Sequence, residues 1–170
     1  MSILTISVAV VAAVACAIDL KERRIPNWLT FGAAFAGLVY QFATHGFMGL
    51  LSGGAGLLVG IAVFFLPFAL GGLGAGDVKL VAALGAWLGP YEIVWLALYA
   101  AVAGAVLALA LSLARGYLRQ AVTNIWLLLM HWRIQGLKPL PELTIHQGRG
   151  PKLAYAVAIF AGTMVTIWIR

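Results

Sequence analysis

Gly71-Gly72-Leu73-Gly74-Ala75-Gly76-Asp77-Val78-Lys79-Leu80 sets an acid behind spaced glycines, between two long apolar runs. Only five of the 170 residues are acidic. A charged group at a membrane boundary is costly to hold, so it points to function. Glycines beside it let backbone approach backbone, or let an extended chain come close. The plain structural reading is an interhelical turn at Gly74 and Gly76, with Asp77 capping the next helix. A second acid, Asp19, at the end of the first apolar run, gives Asp77 a possible partner.

Working outward, 64% of the residues are hydrophobic and 9% charged, and the mean hydropathy is +1.03. Soluble domains are nearer half apolar and a quarter charged. Apolar runs near the length of a bilayer crossing recur along the chain, and strand-like alternation is absent. The sequence therefore predicts an all-α, polytopic membrane bundle over 1–170, with about six transmembrane helices and an interfacial cytoplasmic helix. The net charge of +6 is read as topology and attraction to an anionic leaflet, with no nucleic-acid partner expected. One cysteine, Cys16, excludes an internal disulfide and a multi-thiolate metal centre. The first apolar run lacks a basic flank before it and carries one after it, so it reads as a permanent span rather than a cleaved signal.

Span 1 is expected over Ser2–Ile18. Pro26 breaks the chain, and Asn27 is a good N-cap for span 2, Trp28–Phe42. A link, Ala43–Gly49, leads to span 3, Leu50–Leu70, where Ser52, Gly56 and Gly60 form a small-residue row and Pro67 bends the last turns. Asp77–Leu88 forms a fourth helix, too short to cross unless extended or held deep in the bundle. Span 5 is Tyr91–Ala114, with a second small row at Ala100, Gly104 and Ala108. Span 6 is Leu153–Ile169. Between these, Arg119–Arg133 reads as an interfacial helix with aromatic anchors and basic ends. Leu137–Thr144, with Pro139 and Pro141, reads as an extended linker. His45, His131 and His146 are isolated, and no metal or cofactor is expected.

Alternating six spans gathers Lys21, Arg23, Arg24, Lys79, Arg115, Arg119, Arg133, Lys138, Arg149 and Lys152 on one side and leaves Arg170 on the other. That side is cytoplasmic by the positive-inside rule, and both termini face out. Asp19 and Asp77 then share the cytoplasmic end. Two neighbouring carboxylates cannot both ionise cheaply, so one keeps a proton as general acid while the other activates water. The start of helix 4 favours Asp77 as the anion, and the end of span 1 favours the proton on Asp19. Glu22 is read as a solvated ion-pair partner. Lys79 either stabilises a carboxylate or meets a lipid phosphate.

Asp19 with Arg24-Ile25-Pro26-Asn27, and Gly74-Ala75-Gly76-Asp77-Val78-Lys79-Leu80 with Ala82, Gly85 and Leu88-Gly89, resemble the two motifs of the bacterial prepilin peptidases, membrane aspartyl proteases of the GxGD kind. Tyr155-Ala156-Val157-Ala158-Ile159 is a weaker echo. The resemblance implies Asp19 and Asp77 as the catalytic pair. Gly74, Gly76, Lys79, Pro26 and Asn27 are candidates to shape the site or bind substrate. It further implies cleavage of the positively charged leader of a type IV prepilin or pseudopilin, in the bacterial inner membrane with the site facing the cytoplasm. Larger members of that family carry paired Cys-x-x-Cys motifs associated with N-methylation. The single Cys16 and the small size resemble instead the peptidases of Flp-type (tight-adherence) pilus systems, acting as proteases without methyl transfer. The competing class is a non-enzymatic transporter or assembly scaffold using the acids as a proton relay or structural pair. The absence of a mid-span acid and of a convincing internal repeat speaks against it.

Overall fold

The computed structural model describes residues 2–136 and 154–169. Six helices follow in order: α1 (Ile3–Glu22), α2 (Asn27–Ala69), α3 (Ala75–Leu88), α4 (Pro90–Ala114), α5 (Leu118–Gln135) and α6 (Tyr155–Ile169). No strand occurs among the described residues. The expected linker Leu137–Thr144, together with His146, Lys138, Glu142, Arg149, Lys152, Leu153 and Arg170, lies outside them.

The predicted spans 2 and 3 both fall on α2, and the link between them is shorter than expected. Helix runs through residues 43–45 and 47–49, and only Gly46 leaves it, at φ 61 and ψ −148. That conformation is open essentially to glycine alone. The two arms, 27–45 and 47–69, then fold back on each other. The position a Cβ would take on Gly53 is 3.2 Å from Leu38 Cδ2, and on Gly49 it is 2.7 Å from the Cβ of His45. At about 1.5 Å per residue, the 43 residues of α2 come to roughly 65 Å, divided between two arms of about 30 Å each. Pro67 sits in the last turn of α2, which ends at Ala69.

Three helices, α1, α2 and α4, are long and apolar enough to cross a bilayer, and α6 is apolar but has 15 residues. With 14 residues, α3 is about 21 Å long, short of the roughly 30 Å hydrocarbon core. It lies deep in the bundle: every residue from Asp77 to Leu88 except Lys79 is buried. A helix that is apolar all round needs partners all round. α2 supplies the closest one. Its buried row is Gly49, Gly53, Gly56 and Gly60, a register shifted from the expected Ser52–Gly56–Gly60 row. At the crossing, a Cβ on Gly85 would strike the Gly56 carbonyl oxygen, and one on Gly56 would strike that of Gly85. The backbones touch there because neither residue has a side chain.

Polar atoms inside this contact are paired. Gln41 Nε2 donates to the Trp87 carbonyl at 2.9 Å, and Trp87 Nε1 donates to the Ala33 carbonyl at 2.8 Å. Tyr40 stacks on the Trp87 ring, with centroids 5.4 Å apart. α6 lies against α4, where Gly162 lets the chain approach Ala100 and Gly104 makes room for the Tyr155 ring. Ala108, expected in the same row, is exposed. α6 also packs on α1. One end of the bundle therefore gathers the C-terminus of α1 and the N-termini of α2, α3 and α6. The other end gathers Ser2, Thr5, Tyr40, His45 and Ile167 around an open groove of about 410 Å³. The predicted interfacial segment is helical as α5, with Val122, Ile125, Trp126 and Leu127 exposed.

Candidate active site

Asp19 lies in the last turn of α1 and is buried, at 8% exposure. The helix stops four residues later at Arg23, which adopts the left-handed conformation (φ 57) and returns its N–H to the Asp19 carbonyl at 2.9 Å. A non-glycine residue in that region costs about 1–2 kcal/mol. The reversal sends Ile25-Pro26-Asn27 back toward the bundle. Pro26, extended at φ −71 and ψ 144, is the residue from which α2 starts.

Asp77 is buried as well, at 9% exposure, in the first turn of α3. The helix begins two residues earlier than expected, with Gly74 as the N-cap residue. Asp77 does not cap from the front. Its Oδ2 reaches back to accept the Gly74 N–H at 3.0 Å, the reverse half of a capping box. This bond fixes the carboxyl against the start of α3 and uses one of its two oxygens. A Cβ on Gly74 would sit 3.3 Å from that oxygen, so glycine there leaves the carboxyl room. Gly76 belongs to the helix rather than to the turn. A Cβ on it would lie 3.2 Å from the Cβ of buried Ile25 and 3.5 Å from its nitrogen. The stretch after Asp19 thus forms the floor under the residue before Asp77.

The two acids share one electrostatic neighbourhood: Asp77 feels the charge of Asp19, and Asp19 feels that of Arg23. α6 closes the same region. The backbone amide of Ala156 lies near the Asp19 carboxyl, and Tyr155, packed edge-on against Phe64 with centroids 6.1 Å apart, lies within the field of Asp77. In the sequence, Tyr155 and Ala156 stood out only as part of a weak motif echo, which was the one signal for them. The amide of Ala156 also opposes the simple assignment of the proton to Asp19, because each acid now faces a helix N-terminus.

Two expectations for the flanking residues are corrected. Asn27 does not cap α2, since that helix has no side-chain cap bond. An N-cap of this kind contributes about 1 kcal/mol. Its Oδ1 instead accepts from Lys79 Nζ at 2.9 Å. Lys79 therefore has a protein partner, and its ammonium also stands 5.6 Å from the centre of the Phe31 ring. Phe31 follows Asn27 by one helical turn, a spacing visible in the sequence but with no stated partner. Beside this contact, Glu22, Arg24, Ile25, Pro26 and Asn27 line an open groove of about 380 Å³.

Residues 6–109 match the model of the type IV leader peptidase family, a span that contains both acids and both motifs. The chain belongs to that family. It is 30% identical over 160 residues to a prepilin leader peptidase/N-methyltransferase of Aeromonas hydrophila, covering 89% of this chain and 47% of the relative. It is 35% identical over 101 residues to a type 4 prepilin-like proteins leader peptide-processing enzyme of Escherichia coli O78:H11, covering 55% and 38%. A third relative, a prepilin leader peptidase/N-methyltransferase of Neisseria gonorrhoeae, is 33% identical over 106 residues, covering 58% and 37%. The chain spans less than half the length of these relatives. No solved structure matches it significantly.

Proposed function

We propose that this chain is a membrane aspartyl endopeptidase that removes the leader of a type IV prepilin or pseudopilin, of the Flp-like kind, with Asp19 and Asp77 as its catalytic pair. The observation that carries this is the meeting of two buried carboxyls at one end of a helical bundle, within a chain of the leader peptidase family. The pair holds one proton. The ionised carboxyl takes a proton from water as the water oxygen attacks the scissile carbonyl carbon. The protonated carboxyl donates to the carbonyl oxygen, and collapse of the tetrahedral adduct breaks the C–N bond with a proton passing to the leaving amine. The Gly74 N–H holds the Asp77 carboxyl in place, and the start of α6, at Ala156, stands beside Asp19.

The site end carries Lys21, Arg23, Arg24 and Lys79. We place it at the cytoplasmic face of the inner membrane, with the termini outside and anionic lipid around the basic groups. A leader retained in the cytoplasm by its positive charge presents its scissile bond at this level. α5 lies along the same face as an interfacial helix. The test is cleavage of a co-expressed Flp-type prepilin in membranes. Asp19→Asn and Asp77→Asn are each expected to abolish cleavage, while Glu22→Gln retains it. Cleavage by both asparagine variants would refute the peptidase reading.

A further inference from the structure

The Lys79–Asn27 bond joins side chains 52 residues apart, on the first turns of α3 and α2. Its surroundings suggest a purpose beyond holding two helices together. Asp77 and Lys79 are two positions apart on α3, so they leave the helix on nearly opposite sides. One side faces Asp19 and α6, and the other faces the start of α2. The start of α2 is in turn tied to Asp19 through eight residues of chain, including the left-handed turn at Arg23. A closed circuit results: Asp19, the Arg23 turn, Ile25 beneath Gly76, Asn27, Lys79 and back along one turn of α3 to Asp77. Two features favour the bond over alternatives. Asn27 forgoes the helix cap that its type and position offer, and such local rules are broken where a site demands it. The Lys79 ammonium also stands 5.6 Å from the centre of the Phe31 ring, a second contact that favours the same position.

Resting on the peptidase reading above, we propose that Lys79 and Asn27 form a latch that sets the spacing of Asp19 and Asp77, with both acting as positioning residues rather than touching the reacting atoms. Opening the latch lets the start of α3 rock on Ile25. A displacement of 1 Å at a reacting group costs up to about a hundredfold in rate, and a fraction of that shift gives about tenfold.

The experiment measures steady-state cleavage of a purified Flp-type prepilin by the full chain in lipid vesicles, with a thermal scan of each variant. Lys79→Met and Asn27→Leu are each expected to lower kcat about tenfold with KM little changed and the melting temperature close to wild type. The double variant is expected to be no slower than the slower single, because both changes open the same bond. Asn27→Asp keeps an acceptor for Lys79 and is expected to recover most of the rate. Wild-type kcat in Lys79→Met, multiplied losses in the double variant, or an Asn27→Asp enzyme as slow as Asn27→Leu would each overturn the latch. Asp77→Asn, run alongside, separates the two readings. If it is inactive while Lys79→Met is normal, the latch alone fails; if it cleaves like wild type, the peptidase reading falls and the latch with it.

Discussion

Replacing Gly85 with alanine puts a methyl group where α2 and α3 meet backbone to backbone. The new Cβ would lie against the Gly56 carbonyl oxygen, 2.7 Å from the carbonyl carbon and 3.2 Å from the nitrogen of Leu57. Carbon atoms in comfortable contact are about 3.5–4.0 Å apart. The obstruction is main chain on both helices, so no side chain can turn aside, and the helices must separate by roughly 1 Å. Overpacking of a core costs about 1–3 kcal/mol, and a rigid crossing belongs at the upper end. Alanine returns about 1 kcal/mol through its better helix propensity. The net loss is about 2 kcal/mol, or about 4–8 °C in melting temperature for a chain of this size. Gly54→Ala is the matched control, because nothing lies within 4 Å of its Cβ position. The assay is a thermal scan of both variants in detergent micelles, followed by prepilin cleavage. Asp77 rides on the same helix two turns from Gly85, so Gly85→Ala is also expected to cut cleavage by ten- to a hundredfold. A Gly85→Ala protein melting at or above both wild type and Gly54→Ala would refute the backbone contact and the reasoning built on it.

Gly46→Ala is expected to destabilise by about 1–3 kcal/mol through its conformation alone, since its Cβ position is open; an unchanged melting temperature would show that the hairpin does not turn at Gly46. Gln41→Leu removes the donor to the buried Trp87 carbonyl and is expected to cost about 1–3 kcal/mol, read in the same scan, with no loss counting against that bond. The pH–rate profile of prepilin cleavage is expected to be bell-shaped, with one limb for each member of the carboxyl pair. A profile with a single ionisation would refute a shared-proton mechanism.

The features legible in the sequence were those governed by local chemistry. Apolar runs gave the helices, and the length of Asp77–Leu88 left either extension by its flanks or a deep position in the bundle, of which α3 takes the second. Counting crossings led to the expectation that Asp19 and Asp77 share one end of the bundle. What was not legible depended on partners distant in the chain. Ala43–Gly49 contains two residues able to take positive φ at no steric cost, Gly46 and Gly49, and its composition does not say which of them turns or whether the turn uses one residue or seven. The glycine row could be read as 52/56/60 or as 49/53/56/60, and only the face of α3 decides between them. Asn27 offers a helix cap by every local rule, but a lysine 52 residues away takes its side chain. Tyr155 and Ala156 reach the acids because α6 packs between α1 and α4, a tertiary fact that no spacing encodes.

The place of α6 beside Asp19 has a consequence in time. Ala156 is made roughly 140 residues after Asp19, which at about 5–20 residues per second is on the order of 7–30 s of synthesis. For roughly the last 80 of those residues both acids exist, but α6 does not. A ribosome-bound chain that has made α1 to α4 therefore holds both acids without the helix that packs beside Asp19. On the peptidase reading, proteolytic competence is expected to wait for α6 to dock, and a chain stalled before Tyr155 lacks the helix that packs beside Asp19.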